Sequence, residues 1–289
     1  MEQRTVTVGD LQFGYLVEGP GDGPLALCLH GFPDTARTFR HLLPRLAAAG
    51  FRAVAPWLRG YAPTALAPDG AYQTGALAFD ACALHEALGG DADAVVIGHD
   101  WGAFAAYGAG AYQPERWRRV VAMAVPPPAS LATAFFSYDQ VKRSFYVFFF
   151  QSPLAETAVS LDGYAFLERL WRDWSPGYDP TEDVAWVKES IGSSDRLAAA
   201  IGYYRAMFDP SRHVPRYEAA QAATLSAPPQ PTLYLHGAQD GCMGVELAHD
   251  VLAHLPPGSA SQVVDGAGHF LHLEQPDAVN DAIVRFVGA

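Results

Sequence analysis

Short runs of wholly apolar residues recur along this chain and alternate with longer stretches of helical period. Leu25–Leu29, Ala53–Ala55, Ala94–Ile97, Val120–Met123 and Thr232–Leu235 read as strands buried on both faces, and Val263-Val264 as a weaker last one. Between them Thr38–Ala49, Gly75–Leu88, Gly102–Tyr112, Val245–His254 and Pro276–Val287 carry helical patterns. A strand that is apolar on both faces needs a layer on each side, so this alternation predicts an α/β fold with a mostly parallel, doubly wound sheet. Thr5–Val8 and Leu11–Val17, joined by Gly9-Asp10, predict an antiparallel hairpin before it.

The strand signal stops between Pro126-Pro127-Pro128 and Pro228-Pro229. That interval holds roughly half of the aromatic residues in about a third of the length, which suits a small helical subdomain built on large side chains. The expected organisation is a core from residues 1–125, an inserted helical cap over 126–228, and the rest of the core from 229–289. With 289 residues, half of them hydrophobic and 17% charged, the chain is long enough for one large core carrying such an insertion. A net charge of −12 excludes the basic footprint that nucleic acid or an anionic membrane surface would need. Cys28, Cys82 and Cys242 are too few and too scattered for a disulfide framework or a metal knuckle, which points to reduced thiols and a cytoplasmic location. The first residues read as strands, without the pattern of a signal peptide. The apolar run Tyr146–Phe150 is too short to cross a bilayer and fits a cap over a pocket. A monomer or homodimer is expected.

The chemistry concentrates in Gly98-His99-Asp100-Trp101-Gly102, where a strand runs directly into an alanine-rich helix. Glycines two residues either side of a reactive group permit a cramped turn that lifts its side chain above the sheet and toward a helix N-terminus. The group at the centre is Asp100, where such elbows commonly carry serine. Two later strands end in loops with partners in the expected order: Asp240 after Leu233–Leu235, and His269 after Val263-Val264. Asp100, Asp240 and His269 are therefore the predicted nucleophile, orienting acid and general base. Asp265 suits a turn, His272 a pocket wall or helix start, and His30, His99 and His236 suit structural hydrogen bonds. None has metal-ligand company, and no metal is expected. The loop His30-Gly31-Phe32-Pro33 predicts one oxyanion-hole amide at Phe32 and the elbow another at Trp101, with Phe32 and Trp101 also facing the substrate. A cis bond before Pro33 is a further reading of this turn.

Together, HGFPDT, Ala55–Tyr61, GHDWGA and the Asp240 and His269 loops resemble the epoxide hydrolases of the α/β-hydrolase fold over nearly the whole chain. The resemblance implies two cap tyrosines that bind and protonate the epoxide oxygen. One is Tyr146, which precedes Phe150-Gln151-Ser152-Pro153, though the glycine that usually follows is Leu154 here. The other is Tyr204 in Gly-Tyr-Tyr-Arg, with Tyr203 the alternative, because one residue of rotation decides which hydroxyl faces the pocket. Arg59-Gly60-Tyr61-Ala62 also lacks a usual second glycine. The implied reaction opens a small apolar or aryl epoxide to a vicinal diol through an ester on Asp100, without a cofactor. A carboxylate suits displacement at an sp³ carbon, since the ester it forms has a carbonyl that water can attack. A haloalkane-type dehalogenase shares this logic, and a non-catalytic receptor could share the pocket. Trp101 and Phe104 occupy the positions where haloacetate dehalogenases carry arginines, which argues against a small anionic substrate.

Overall fold

A computed structural model describes residues 1–288, Thr133 in its backbone only. One eight-stranded sheet runs through it, built from β1 (Glu2–Val8), β2 (Leu11–Glu18), β3 (Leu25–Leu29), β4 (Arg52–Pro56), β5 (Val95–His99), β6 (Arg119–Met123), β7 (Thr232–Gly237) and β8 (Ala260–Val264). The spatial order is β1-β2-β4-β3-β5-β6-β7-β8. The opening hairpin pairs Val8 with Leu11, β2 runs antiparallel to β4, and every pair from β4 through β8 is parallel. Strands β3, β5 and β7 are buried at every position, as their apolar runs require, and His99, Thr232 and His236 are buried with them.

Helices Thr74–Ala87 and Trp101–Tyr112 pack on one another, as do Leu42–Ala48 and Pro276–Gly288. Two predicted helices are more broken than their periodicity suggests. The stretch beginning near Thr38 is a 3-10 turn, Ala36–Arg40, followed by helix Leu42–Ala48, and Val245–His254 is two separate 3-10 turns. Val245–Ala248 and Val251–His254 bury only part of their surface, leaving Leu252 exposed, so little packing holds them to α-helical length. All elements between β6 and β7 are helical, from Pro128–Ala134 to Glu218–Ala223. The longest, Ala155–Trp174, is broken at residues 161–164, where Asp162, Gly163 and Tyr164 take positive φ.

Strand β5 lies between β3 and β6, and Asp100 follows its last residue. β7 and β8 deliver the Asp240 and His269 loops to the same carboxyl edge, where loops of parallel strands converge in folds of this kind. The elbow is tight. A β-carbon on Gly102 would stand 1.9 Å from the Leu29 carbonyl oxygen, so helix Trp101–Tyr112 can start where it does only with glycine there. Gly102→Ala is expected to lower unfolding free energy by about 3 kcal/mol or more, beyond ordinary overpacking, as measured by urea denaturation.

Candidate active site

Asp100 sits between β5 and helix Trp101–Tyr112 with φ 52° and ψ −118°, a conformation that costs a non-glycine residue about 1–3 kcal/mol. The turn is held by its neighbours. The Asp100 amide donates to the Met123 carbonyl at 3.3 Å, its own carbonyl accepts from Ala103 N at 2.9 Å, and Oδ1 accepts from the Phe32 amide at 2.7 Å. The carboxylate also lies against Gly31, where a β-carbon would come within 2.2 Å of Oδ1. The Phe32–Pro33 peptide is cis, and Phe32 is fully buried. Trp101 is the first helical residue, so its N–H has no acceptor within the helix.

His269 Nε2 is 3.7 Å from Asp100 Oδ2, and Nδ1 donates to Asp240 Oδ2 at 3.0 Å. Asp240 Oδ1 accepts from the amides of Cys242 and Met243 at 2.7 and 2.8 Å, which fixes the carboxylate in its loop. All three side chains are buried. Burial alone would lower the His269 imidazole, but the Asp240 charge, with Cys242 and Asp100 beside it, outweighs that and lifts its pKa well above the usual histidine range. Burial pushes Asp240 up, and the facing His269 more than reverses this, leaving it below the usual carboxylate value.

The other histidines are held in structural bonds. His30 bridges the Gly31 carbonyl and the Leu58 amide, and burial lowers it to about 4. His99 bonds to the His269 carbonyl, and burial with the nearby His269 charge lowers it to about 3. His236 bonds to the Tyr234 hydroxyl and the Met243 carbonyl. His272 bonds to Thr38 and stacks on Phe39, and Asp265 is exposed at the end of β8. Among the described residues, two buried groups have metal-ligand chemistry: Asp34, His99 and His272, and Asp240, Cys242 and His269. In the second, His269 and Asp240 are already bonded to each other.

A cavity of about 440 Å³ opens over Asp100. Trp101, Phe104, Tyr146 and Tyr204 line it, and among the described residues its wall carries no Lys or Arg. Burial raises both tyrosines well above the usual phenol value, helped by Cys242 at Tyr146 and by the Asp100 charge at Tyr204, so their hydroxyls stay protonated donors. The Tyr204 hydroxyl is buried with no hydrogen-bond partner, while that of Tyr146 meets Cys242 Sγ at 3.4 Å. Tyr203, expected as a substrate contact, does not line this cavity. One step round the helix, its hydroxyl donates to the Arg59 carbonyl at 2.6 Å and its ring stacks on Tyr61. Phe32 also stays out of the wall, packing edge-on against Tyr204 and Phe150.

Several contributors escape the pattern reading. Gln151 donates to the carbonyls of Val147 and Tyr204, both at 2.9 Å, tying together the helices that carry the two tyrosines. Arg205 donates to the carbonyls of Phe150 and Ser152 at 3.0 and 3.1 Å from the other side. Both residues lie inside the quoted motifs, Phe-Gln-Ser-Pro and Tyr-Tyr-Arg, and their adjacency to the tyrosines is the signal. Ala62, where a glycine is usual, has both backbone groups bonded to Ser190.

Because two carboxylates stabilise the imidazolium, removing one must destabilise it. In Asp100→Asn the His269 ring is expected to titrate at lower pH than in the native protein, read from its imidazole nitrogen shifts by NMR; an unchanged or raised pKa would contradict this coupling.

The family model for the α/β hydrolase fold matches residues 24–276. A Bacillus subtilis AB hydrolase superfamily protein, YfhM, is 30% identical, the match covering 93% of this chain and 92% of that one. Mouse epoxide hydrolase 4 is also 30% identical, over 96% of this chain and 76% of its own. Among solved structures, one of the epoxide hydrolases found in metagenomes from hot environments superposes with a TM-score of 0.80 at 26% identity, covering 99% of this chain and 98% of that one. The elbow, the sheet order and these matches agree: the chain belongs to the α/β hydrolase fold family, as a hydrolase with epoxide hydrolases among its relatives.

Proposed function

We propose that this protein is an epoxide hydrolase in which Asp100 forms a covalent ester and residues 126–228 act as the cap. The observation that carries the reading is the pair of protonated tyrosine hydroxyls, Tyr146 and Tyr204, in the wall of the cavity that holds Asp100. A halide leaving group needs no proton donor, whereas an epoxide oxygen leaves as an alkoxide and does.

Asp100 Oδ1, held by the Phe32 amide, is suited to become the ester carbonyl oxygen, which leaves Oδ2 to attack the ring carbon. The C–O bond breaks, and the oxygen takes a proton from a tyrosine; Tyr204, whose hydroxyl has no other partner, is the better placed donor. Esterification removes the Asp100 charge. The His269 imidazolium then loses one of its two anionic supports, its pKa falls, and its proton passes through cavity water to the tyrosinate left by ring opening, so that the neutral ring can take a proton from a second water. The hydroxide attacks the ester carbonyl while the Phe32 and Trp101 amides hold the oxyanion; the ester C–O bond breaks, the leaving alkoxide takes the proton of the regenerated carboxyl, and the diol departs, restoring the Asp100 carboxylate and the His269 imidazolium. The same charge that keeps His269 protonated before ring opening thus makes it a base only afterwards.

The cavity wall, apolar and without Lys or Arg among the described residues, favours a neutral apolar or aryl epoxide. The test uses epichlorohydrin, which offers both an epoxide and a carbon–chlorine bond. His269→Gln is expected to trap an adduct of the whole molecule with chlorine retained, absent when Asp100→Asn is added, as read by intact mass. An adduct lacking hydrogen chloride would assign a dehalogenase, and no Asp100-dependent adduct would favour a binding protein. Tyr204→Phe is expected to slow ring opening by about 100-fold in single-turnover kinetics while leaving ester hydrolysis unchanged.

A further inference from the structure

The end of the long helix Ala155–Trp174 is built into the loops that carry the acid and the histidine. The Trp174 carbonyl accepts both the Gly241 amide, beside Asp240, at 3.1 Å and the His269 amide at 3.0 Å. Its indole lies edge-on to the His269 ring at 5.2 Å and against Tyr146 at 4.9 Å. The next residue continues the connection. Ser175 Oγ accepts from the Phe270 amide at 3.1 Å and donates to Glu274 Oε1 at 2.6 Å. Glu274 then closes the ring by accepting the Gly268 amide on both carboxylate oxygens, at 3.0 and 2.9 Å. The amides on both sides of His269 are therefore pinned, Gly268 by Glu274 and Phe270 by Ser175.

We propose that Glu274, acting through Ser175 and the Gly268 amide, is a positioning residue for His269, tying the histidine loop to the end of helix Ala155–Trp174. This rests on the epoxide hydrolase reading, in which His269 serves ester hydrolysis and not ring opening. Glu274 touches neither the cavity wall nor Asp100, so it acts only through the histidine it places. A glutamine there has one carbonyl oxygen in place of two carboxylate oxygens, and holds the Gly268 amide and the Ser175 hydroxyl less firmly.

The prediction is selective. Glu274→Gln is expected to lower kcat about 10-fold and KM by a similar factor, leaving kcat/KM within about twofold, because only the step after ring opening slows. At equal concentrations of folded enzyme, a fall in kcat and kcat/KM together with KM unchanged overturns the proposal, as does an unchanged kcat. Ser175→Ala cuts the same joint from the other side and carries the test if the glutamine variant does not fold. A second readout is independent of substrate: amide exchange at residues 268–270 is expected to speed up in either variant while the β5 amides stay protected. Equal protection in variant and native protein overturns the positioning role. Absence of any Asp100 ester in the native enzyme overturns the functional reading instead, and the exchange measurement still decides the joint.

Discussion

The close passage of helix Trp101–Tyr112 over the end of β3 is the contact on which the rest of the site depends. Gly102 packs so near the Leu29 carbonyl that no side chain fits between them, and this proximity forces the chain to reverse at Asp100 with a positive φ. The strain falls on the residue that must stand clear of the sheet. It is offset by ordinary backbone bonds to Met123 and Ala103 and by the Phe32 amide, so the turn is over-determined by its surroundings. β7 and β8 then need only end at the same edge for their loops to reach the carboxylate.

The electrostatics follow from that crowding. Three buried ionisable groups share one small volume, with the His269 ring bonded to one carboxylate and 3.7 Å from the other. A buried imidazolium between two carboxylates leaves one net negative charge, and Asp240 is further supported by two backbone amides. Asp100, its Oδ2 3.7 Å from His269 Nε2, lines the cavity where largely apolar walls leave the carboxylate little competing solvation.

Much of this is legible in the sequence because it depends on local rules. Wholly apolar runs have one way to be buried, so β3, β5, β6 and β7 emerge at nearly the expected residues, and the Gly-x-Asp-x-Gly spacing admits one kind of turn. What the linear pattern leaves open or misjudges depends on packing. Whether Tyr203 or Tyr204 meets the cavity is a matter of helix rotation, decided by an Arg59 carbonyl that no linear pattern brings near. The 3-10 turns at Val245–Ala248 and Val251–His254 keep a helical period without the buried face that would extend them. The bonds by which Gln151, Arg205, Ser175 and Glu274 hold the site reach across as many as 99 residues of sequence and become visible only when the helices are placed.

The clamp formed by Gln151 and Arg205 separates two kinds of change that this protein can accept over time. The hydroxyl-bearing helices are bound to each other through main-chain carbonyls, so their spacing is insensitive to which side chains surround them. Phe135, Phe136, Phe208 and Leu225 line the same cavity from positions at least partly open to solvent and take no part in that clamp. Drift at these outer positions would reshape what enters while the reacting groups keep their distance, a division of labour that lets one scaffold diversify its diet without relearning its chemistry.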